Sequence, residues 1–389
     1  MQGTKDIGLR GIAVADTKIC AVDGEIGKLI YRGYDIDELA QYSTFEETVY
    51  LLLLEGLPTK KELEMFRGAL ASQRDLQVEI VEHLKKRKRS ASPMDVLQSV
   101  VPMLADFDKS QVNTKEEKIR QSISLIAKMA TIVAYWERIR KDLEIIKPDG
   151  NLDHAANFLY MLGGEVPDAR TARDFDTCLI LHAEHSFNAS TFTARVVAST
   201  HAHMYACIGA ALGALSGDLH GGANMAVMKM LIEIDKIERV EKWIKTKFDD
   251  GEKIMGMGHA VYKTIDPRAR ILYSISEKLG KRTGDTKWFD LSRKIDSISR
   301  DEFRKRKGKD IYPNVDFYSP SVYYLMGIDP DLFTSIFAVS RISGWCAHII
   351  EEKFAQAQPE PALYRPEADY VGNYCGIEGC KYVPLTQRK

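Results

Sequence analysis

The sequence predicts a mainly α protein with a small β-hairpin or sheet near its N-terminus. Three observations carry this. Apolar residues recur at helical spacing through most of the 389 residues. Two Thr-x-x-Glu capping boxes open such runs. Strand character is confined to residues 9–33, where Ile19–Val22 and Ile26–Tyr31 flank Asp23-Gly24, a pair suited to a tight hairpin turn.

From Ile36 onward the pattern is helical. Phe45–Leu54 is an apolar segment closed by Gly56 and Pro58. Thr59-Lys-Lys-Glu62 caps a helix with Leu63, Phe66 and Leu70 on one face. Thr114-Lys-Glu-Glu117 caps a long one, with Ile119, Ile123, Ile126 and Val133 along a stripe. Ala172–Gly217 is rich in Ala, Ser and Thr, which lets helices approach closely, in a central bundle or at a subunit interface. Residues 222–327 carry shorter, more charged helices and read as a small domain inserted into a large helical one made of 1–221 and 328–389. Ser335–Glu352 is the apolar helix that returns to the large domain. No repeat of fixed period points to a solenoid.

Composition narrows the function classes. Hydrophobic residues make up 45% of the chain and the formal net charge is −1, so a sizeable core is available and nothing global favours nucleic acid or a membrane surface. Lys85–Arg89 is basic but lacks interleaved aromatics, and reads as a solvated loop. Val196–Gly217 is uncharged, yet Ser199, Thr200, His201 and His203 cluster in it, so a buried helical segment is expected rather than a membrane span. The six cysteines are too scattered for a disulfide framework, and the first residues form no apolar targeting stretch, so the expected location is the reducing cytoplasm. Cys375 and Cys380 read as two free thiols in a terminal segment.

Four groups of residues can carry chemistry. Met255-Gly256-Met257-Gly258-His259 lets the backbone turn sharply beside a ligand and aims a histidine into a cleft. Asp266-Pro267 then starts a helix, and Arg268 in its first turn opposes the helix dipole, which an anionic ligand would explain. His220 follows an apolar helix and precedes Gly221-Gly222, so its ring can face a cavity. Asp316 sits among Val315, Phe317 and Tyr318, where a carboxyl has its charged form disfavoured and approaches the pKa of a useful base. Its competing reading is an N-cap for a helix starting near Ser319 or Pro320. His182 and His185, three apart, could share a helix face and hold a metal with His201 or His203, but the spacing matches no metal motif, so no metal is expected. Two or three histidines, one acid and Arg268, Arg341 and Arg365 describe proton abstraction beside a carbonyl followed by carbon–carbon bond formation on a dicarboxylate.

Leu219-His220-Gly221-Gly222-Ala223-Asn224, Gly258-His259 with Tyr262-Lys263 and Asp266-Pro267-Arg268, and Pro313-Asn314-Val315-Asp316-Phe317-Tyr318-Ser319 stand in the order and approximate spacing of the citrate synthase family. Weaker similarity runs from Asp23-Gly24 to Val383-Pro384-Leu385, and the chain resembles the shorter bacterial and archaeal form. The resemblance implies a two-domain multi-helical homodimer whose cleft closes on oxaloacetate. It implies that Asp316 takes a methyl proton from acetyl-CoA, His220 bonds the thioester oxygen, and His259 polarises the ketone. His185, Asn188, Arg268, Arg341 and, across the subunit interface, Arg365 would hold oxaloacetate. Met255–Gly258 and Lys263 would lie along CoA, and no cofactor beyond the CoA substrate is implied. 2-Methylcitrate synthase, using propionyl-CoA, is the close relative. A His-based metal hydrolase and a non-catalytic helical binding protein are the remote alternatives. Three positions depart from the family pattern. Asp218 replaces the usual Pro and could favour a charged His220. Ala260 follows His259 where Arg is frequent. Pro320 follows Ser319 where Gly is usual, and could stiffen the region of Asp316.

Overall fold

The structure is a computed structural model that describes residues 8–9, 11–108, 110, 112–372, 376 and 378–388. Among these, sixteen α-helices surround one core, with a three-stranded antiparallel sheet near the N-terminus. The sheet runs β1 (Cys20–Asp23), β2 (Lys28–Tyr31), β3 (Tyr34–Asp35), with Cys20 opposite Tyr31 and Asp23 opposite Lys28. Its first turn is wider than the Asp23-Gly24 pair predicts. The Asp23 carboxylate accepts from the backbone N–H of Glu25 (3.0 Å) and Ile26 (3.2 Å), and Gly27 takes the left-handed conformation (φ +68°). Ile26 is therefore an exposed turn residue rather than part of the strand.

Helices α1 (Ile36–Tyr42), α2 (Phe45–Leu54) and α3 (Lys60–Ser72) follow. The capping box at α3 forms in full: the Thr59 hydroxyl accepts from Glu62 N–H, and Glu62 accepts from Thr59 N–H at 2.7 Å. Lys85 and Lys86 belong to the last turn of α4 (Val78–Lys86) rather than to a loop, where cations complement the helix dipole. Helix α5 (Pro93–Met103) leads to α6 (Lys115–Arg140), whose capping box closes on one side only, because Glu117 turns its carboxylate to Arg120. The stripe on α6 is also broader than expected. Helices α3, α5, α7 (His154–Gly163) and α16 (Phe333–Lys353) pack around it, so most of its length is buried.

The uncharged run Val196–Gly217 is two helices, not one. Helix α9 (Ala189–Ser199) stops at Thr200, His201 takes a positive φ of 63°, and the His203 ring caps α10 (Met204–Leu215) by accepting from Ala206 N–H at 3.1 Å. Small residues do allow close approach here. A Cβ on Gly209 would stand 2.8 Å from Pro102, and one on Gly213 would overlap Gln98, both on α5.

Helices α11 (Ala223–Ile234), α12 (Val240–Asp249), α13 (Pro267–Thr283), α14 (Lys287–Lys307) and α15 (Val315–Leu325) pack mainly on one another: α13 on α15, α12 on α14, α11 on α15. Helix α16 then crosses α2, α6, α8 (Ala169–His182), α9 and α10. Among the described residues it is the one helix long and apolar enough to cross a membrane, and that stretch is wholly buried in protein. Cys20, Cys178, Cys207 and Cys346 are buried free thiols. Cys380 is disulfide-bonded, which corrects the expectation of a free thiol, and Cys375 lies outside the described residues.

Candidate active site

A backbone pairing brings the two halves of the site together. Met255–Gly258 runs antiparallel to Tyr312–Asn314, with a bridge between Met257 and Pro313. Gly258 N–H donates to Tyr312 O (2.8 Å), and Asn314 N–H to Gly256 O (2.9 Å). Gly256 and Gly258 both sit at positive φ (76° and 86°), and a Cβ on Gly256 would lie 2.8 Å from Val227 and 2.9 Å from Phe317. Only glycine fits both the conformation and the space. His259 leaves one strand of this pairing and Asp316 the other.

Asp316 is the second residue of α15. The N-cap is Asn314, whose side chain accepts from Asp316 N–H at 2.9 Å and donates to Gly258 O at 2.8 Å. Asp316 is thus not the cap of a helix starting near Pro320, and its carboxyl is left for chemistry. It can be reached from the cavity but is enclosed by protein, and that burial pushes its pKa up to about 7 against the opposing pull of Arg268.

The proton positions on two histidines follow from their donors. Nδ1 of His259 accepts from the N–H groups of Val261 (3.0 Å) and Tyr262 (3.2 Å), so it carries no proton, and Nε2 does. Nε2 of His220 accepts from Ser190 N–H (3.3 Å) and also meets Ser190 Oγ (2.8 Å), so its proton is on Nδ1. Ser190 Oγ is itself held by Trp345 Nε1–H (3.1 Å) and bonds Asn188 Oδ1 (2.8 Å). Burial, followed by a nearby arginine, lowers both imidazoles to about 4. Asp218 does not make His220 cationic. It is exposed, its carboxylate turns towards Gly222, and it makes no hydrogen bond to the ring.

The arginines differ in their partners. Arg268 is gripped by the Asp266 carboxylate through Nε (3.0 Å) and Nη2 (2.8 Å), with both residues buried. Burial opposes its charge, but Asp266 outweighs this and holds the guanidinium above its usual value. Arg341 donates from Nε to His182 O (2.7 Å) and lies over the Phe337 ring, while its buried Nη2 has no partner among the described residues. Burial pulls its pKa down. A buried guanidinium with a donor to spare is a receptor for an anion.

These groups line one cavity of about 650 Å³: His185, Asn188, His220, Gly258, His259, Arg268, Asp316 and Arg341, with apolar walls including Val22, Phe187, Leu219 and Phe337. His185 lies in the loop after α8, so it shares no helix face with His182. His182 Nδ1 pairs with Cys178 O (2.8 Å) and its ring packs on Phe337. Among the described residues no group of three or more His, Cys, Asp or Glu is placed to hold a metal. Asn188 caps α9 by accepting from Thr191 N–H, which occupies its side-chain oxygen. Met255, Gly256 and Met257 do not line it, Lys263 is exposed and paired with Glu25, and Arg365, in the exposed C-terminal segment, does not line it either. Ser190, Trp345 and Phe337 were not legible as site residues, because each lies inside a helix where its spacing reads as packing.

The family model described as "Citrate synthase, C-terminal domain" matches residues 8–367. The chain belongs to the citrate synthase family. It is 42% identical over 394 residues to the citrate synthase of Haloferax volcanii, with all of both chains covered. It is also 37% identical over 382 residues to the 2-methylcitrate synthase of Shewanella oneidensis, covering 98% of this chain and 97% of that one. Among solved structures it superimposes on citrate synthase from the archaeon Thermoplasma acidophilum, in a ternary complex with carboxymethyl coenzyme A and oxaloacetate, with TM-score 0.90 and 31% identity over 98% of this chain and 99% of that one. The protein is therefore an enzyme of the citrate synthase type, a transferase.

A base must be ionised to act, so with Asp316 as the base activity is expected to be lost as pH falls through its pKa. Turnover should drop about tenfold per unit below an apparent pKa of about 7 and level off above it. His220 and His259, lowered to about 4, add no second inflection between pH 5 and 7. A turnover profile across this range, with stability checked at each pH, measures both points.

Proposed function

We propose that this enzyme joins the methyl carbon of acetyl-CoA to the ketone carbon of oxaloacetate and then hydrolyses citryl-CoA to citrate and CoA. One observation carries the proposal. A single cavity holds a carboxyl biased towards neutrality, two neutral histidines with assigned ring protons, and a buried arginine with a spare donor. In this reading the Asp316 carboxylate removes a methyl proton, and Nδ1–H of His220 donates to the thioester oxygen as enolate charge develops. The nucleophilic carbon attacks the ketone, whose oxygen receives the proton from Nε2 of His259. Water then cleaves the thioester. Donors aimed at developing oxyanions in a water-poor site supply much of the rate enhancement in such chemistry.

The oxaloacetate carboxylates are assigned to Arg268, Arg341 and His185, with Asn188 nearby and Arg365 supplied by a second copy in a homodimer. CoA is assigned to the side of Met255–Gly258; the Glu25 ion pair of Lys263 would have to open for that side chain to join it. We further propose that residues 222–327 form a small domain that closes over the large one formed by 1–221 and 328–389, and that the enzyme works in the cytoplasm. Closure would expel water and strengthen each charge interaction.

The full-length similarity to a 2-methylcitrate synthase supports a second reading, with propionyl-CoA as the donor. One methylene is worth about 1–3 kcal/mol in a pocket, so both donors should react to some degree. CoA thiol release with oxaloacetate, comparing kcat/KM for acetyl-CoA and propionyl-CoA with product masses checked, tests both readings. A higher value for acetyl-CoA supports the first, a higher value for propionyl-CoA the second, and release with neither refutes both.

Two variants test the residue roles. Asp316→Asn should lose turnover by about 10²–10⁴-fold while oxaloacetate still raises the melting temperature. Arg365→Ala should raise KM for oxaloacetate about tenfold or more with KM for acetyl-CoA little changed; steady-state titration of each substrate separates the two effects.

A further inference from the structure

We propose that Tyr262 is a positioning residue for the keto-acid end of the site, tying the ring of His185 to that of His259. The inference rests on the oxaloacetate reading above.

Tyr262 is buried and does not line the cavity, so it acts through its neighbours. Three of its parts each touch a histidine. Its backbone N–H donates to His259 Nδ1 at 3.2 Å, which helps keep the proton on Nε2. Its ring lies over His259, with centroids 4.7 Å apart. Its hydroxyl stands 3.2 Å from His185 Nε2. The two imidazoles are themselves edge to face at 5.3 Å. Without the phenol, nothing polar among the described contacts would fix the Nε2 edge of His185.

The loop that carries Tyr262 is pinned on both flanks by the tip of the β1–β2 hairpin. Lys263 N–H donates to Gly24 O at 2.9 Å, and Val261 O lies so close to Gly24 that no side chain fits there. The hairpin is anchored in turn: Tyr31 at the end of β2 bonds Glu184 O at 2.8 Å, next to His185. The phenol thus has a rigid mount on each side. Burial keeps it protonated and the His185 ring neutral, so the bond orients His185 without adding charge.

A hydrogen bond of this kind has a modest net value, so its loss should be felt as a change of several-fold rather than as abolition. Tyr262→Phe keeps the ring and the backbone donor and removes only the hydroxyl. Relative to the wild type, it should raise KM for oxaloacetate about three- to tenfold, with kcat and KM for acetyl-CoA each within about twofold. Tyr262→Met also removes the ring over His259, and should lower kcat in addition. Melting curves of both variants without substrate, together with the oxaloacetate-induced shift, show whether each is folded. If wild type turns over and folded Tyr262→Phe keeps its oxaloacetate KM, or changes both substrates' KM equally, the positioning role is overturned while the reaction stands. If wild type itself releases no CoA with oxaloacetate, the reaction reading falls and this proposal with it. Should Tyr262→Phe not fold, Tyr262→Met decides: unchanged kcat and oxaloacetate KM in the folded protein overturn the role.

Discussion

The short pairing of Met255–Gly258 with Tyr312–Asn314 is the constraint on which the site depends. It is a few hydrogen bonds long, yet His259 leaves one strand of it and Asp316 the other. A side chain on Gly256 would collide with Val227 and Phe317, against which this pairing is packed. Asn314 adds a second lock, because one side chain caps α15 and also holds the Gly258 carbonyl. The acid and the histidine are therefore positioned by backbone geometry rather than by contact with each other. A site assembled this way is set before any ligand arrives, which is what preorganised electrostatics requires.

Burial then sets the charge states, and it works in opposite directions on the two kinds of group. A carboxyl removed from water loses its preference for the anion, so Asp316 moves up. An imidazole removed from water loses its preference for the cation, so His220 and His259 move down. One physical cause thus gives a carboxyl of raised basicity and two imidazoles that remain neutral. The same burial penalises Arg341, and the nearby Glu184 carboxylate offsets this only in part, whereas Asp266 more than compensates Arg268. The cavity carries an unmet demand for an anion, built in at a cost to the empty protein.

Much of this was legible in the sequence, for reasons that differ by element. Helix α2 and the capping box of α3 were read to the residue, because Thr59, Gly56 and Pro58 mark helix ends through local chemistry alone. The glycines and histidines of the site were legible because they sit at breaks, where an apolar pattern stops. The sequence is silent where a side chain has a choice of local partners or a break carries no marker. Glu117 chose Arg120 over its cap, Asp23 widened its own turn, and the break at His201 has no Gly or Pro to announce it. Ser190 and Trp345 could not have been found at all. Each is an ordinary helix residue until α9 and α16 pack and bring them to His220.

Pro320 acts on Asp316 through the backbone. A proline inside α15 has no N–H to give to the carbonyl four residues earlier, which is that of Asp316 itself. The start of α15 is held on its N–H side by the Asn314 cap, which accepts from Asp316 N–H. The remaining electrostatic question is one of count. Within the cavity the charge of Arg268 is already balanced by Asp266, and that of Arg341 is partly offset by Glu184 although its Nη2 keeps a spare donor, while Asp316 would be anionic as a base. A dicarboxylate brings two negative charges. On the reading proposed above, one chain's cavity is thus short of positive charge for such a ligand, which agrees with the proposal that Arg365 of a second copy joins the site.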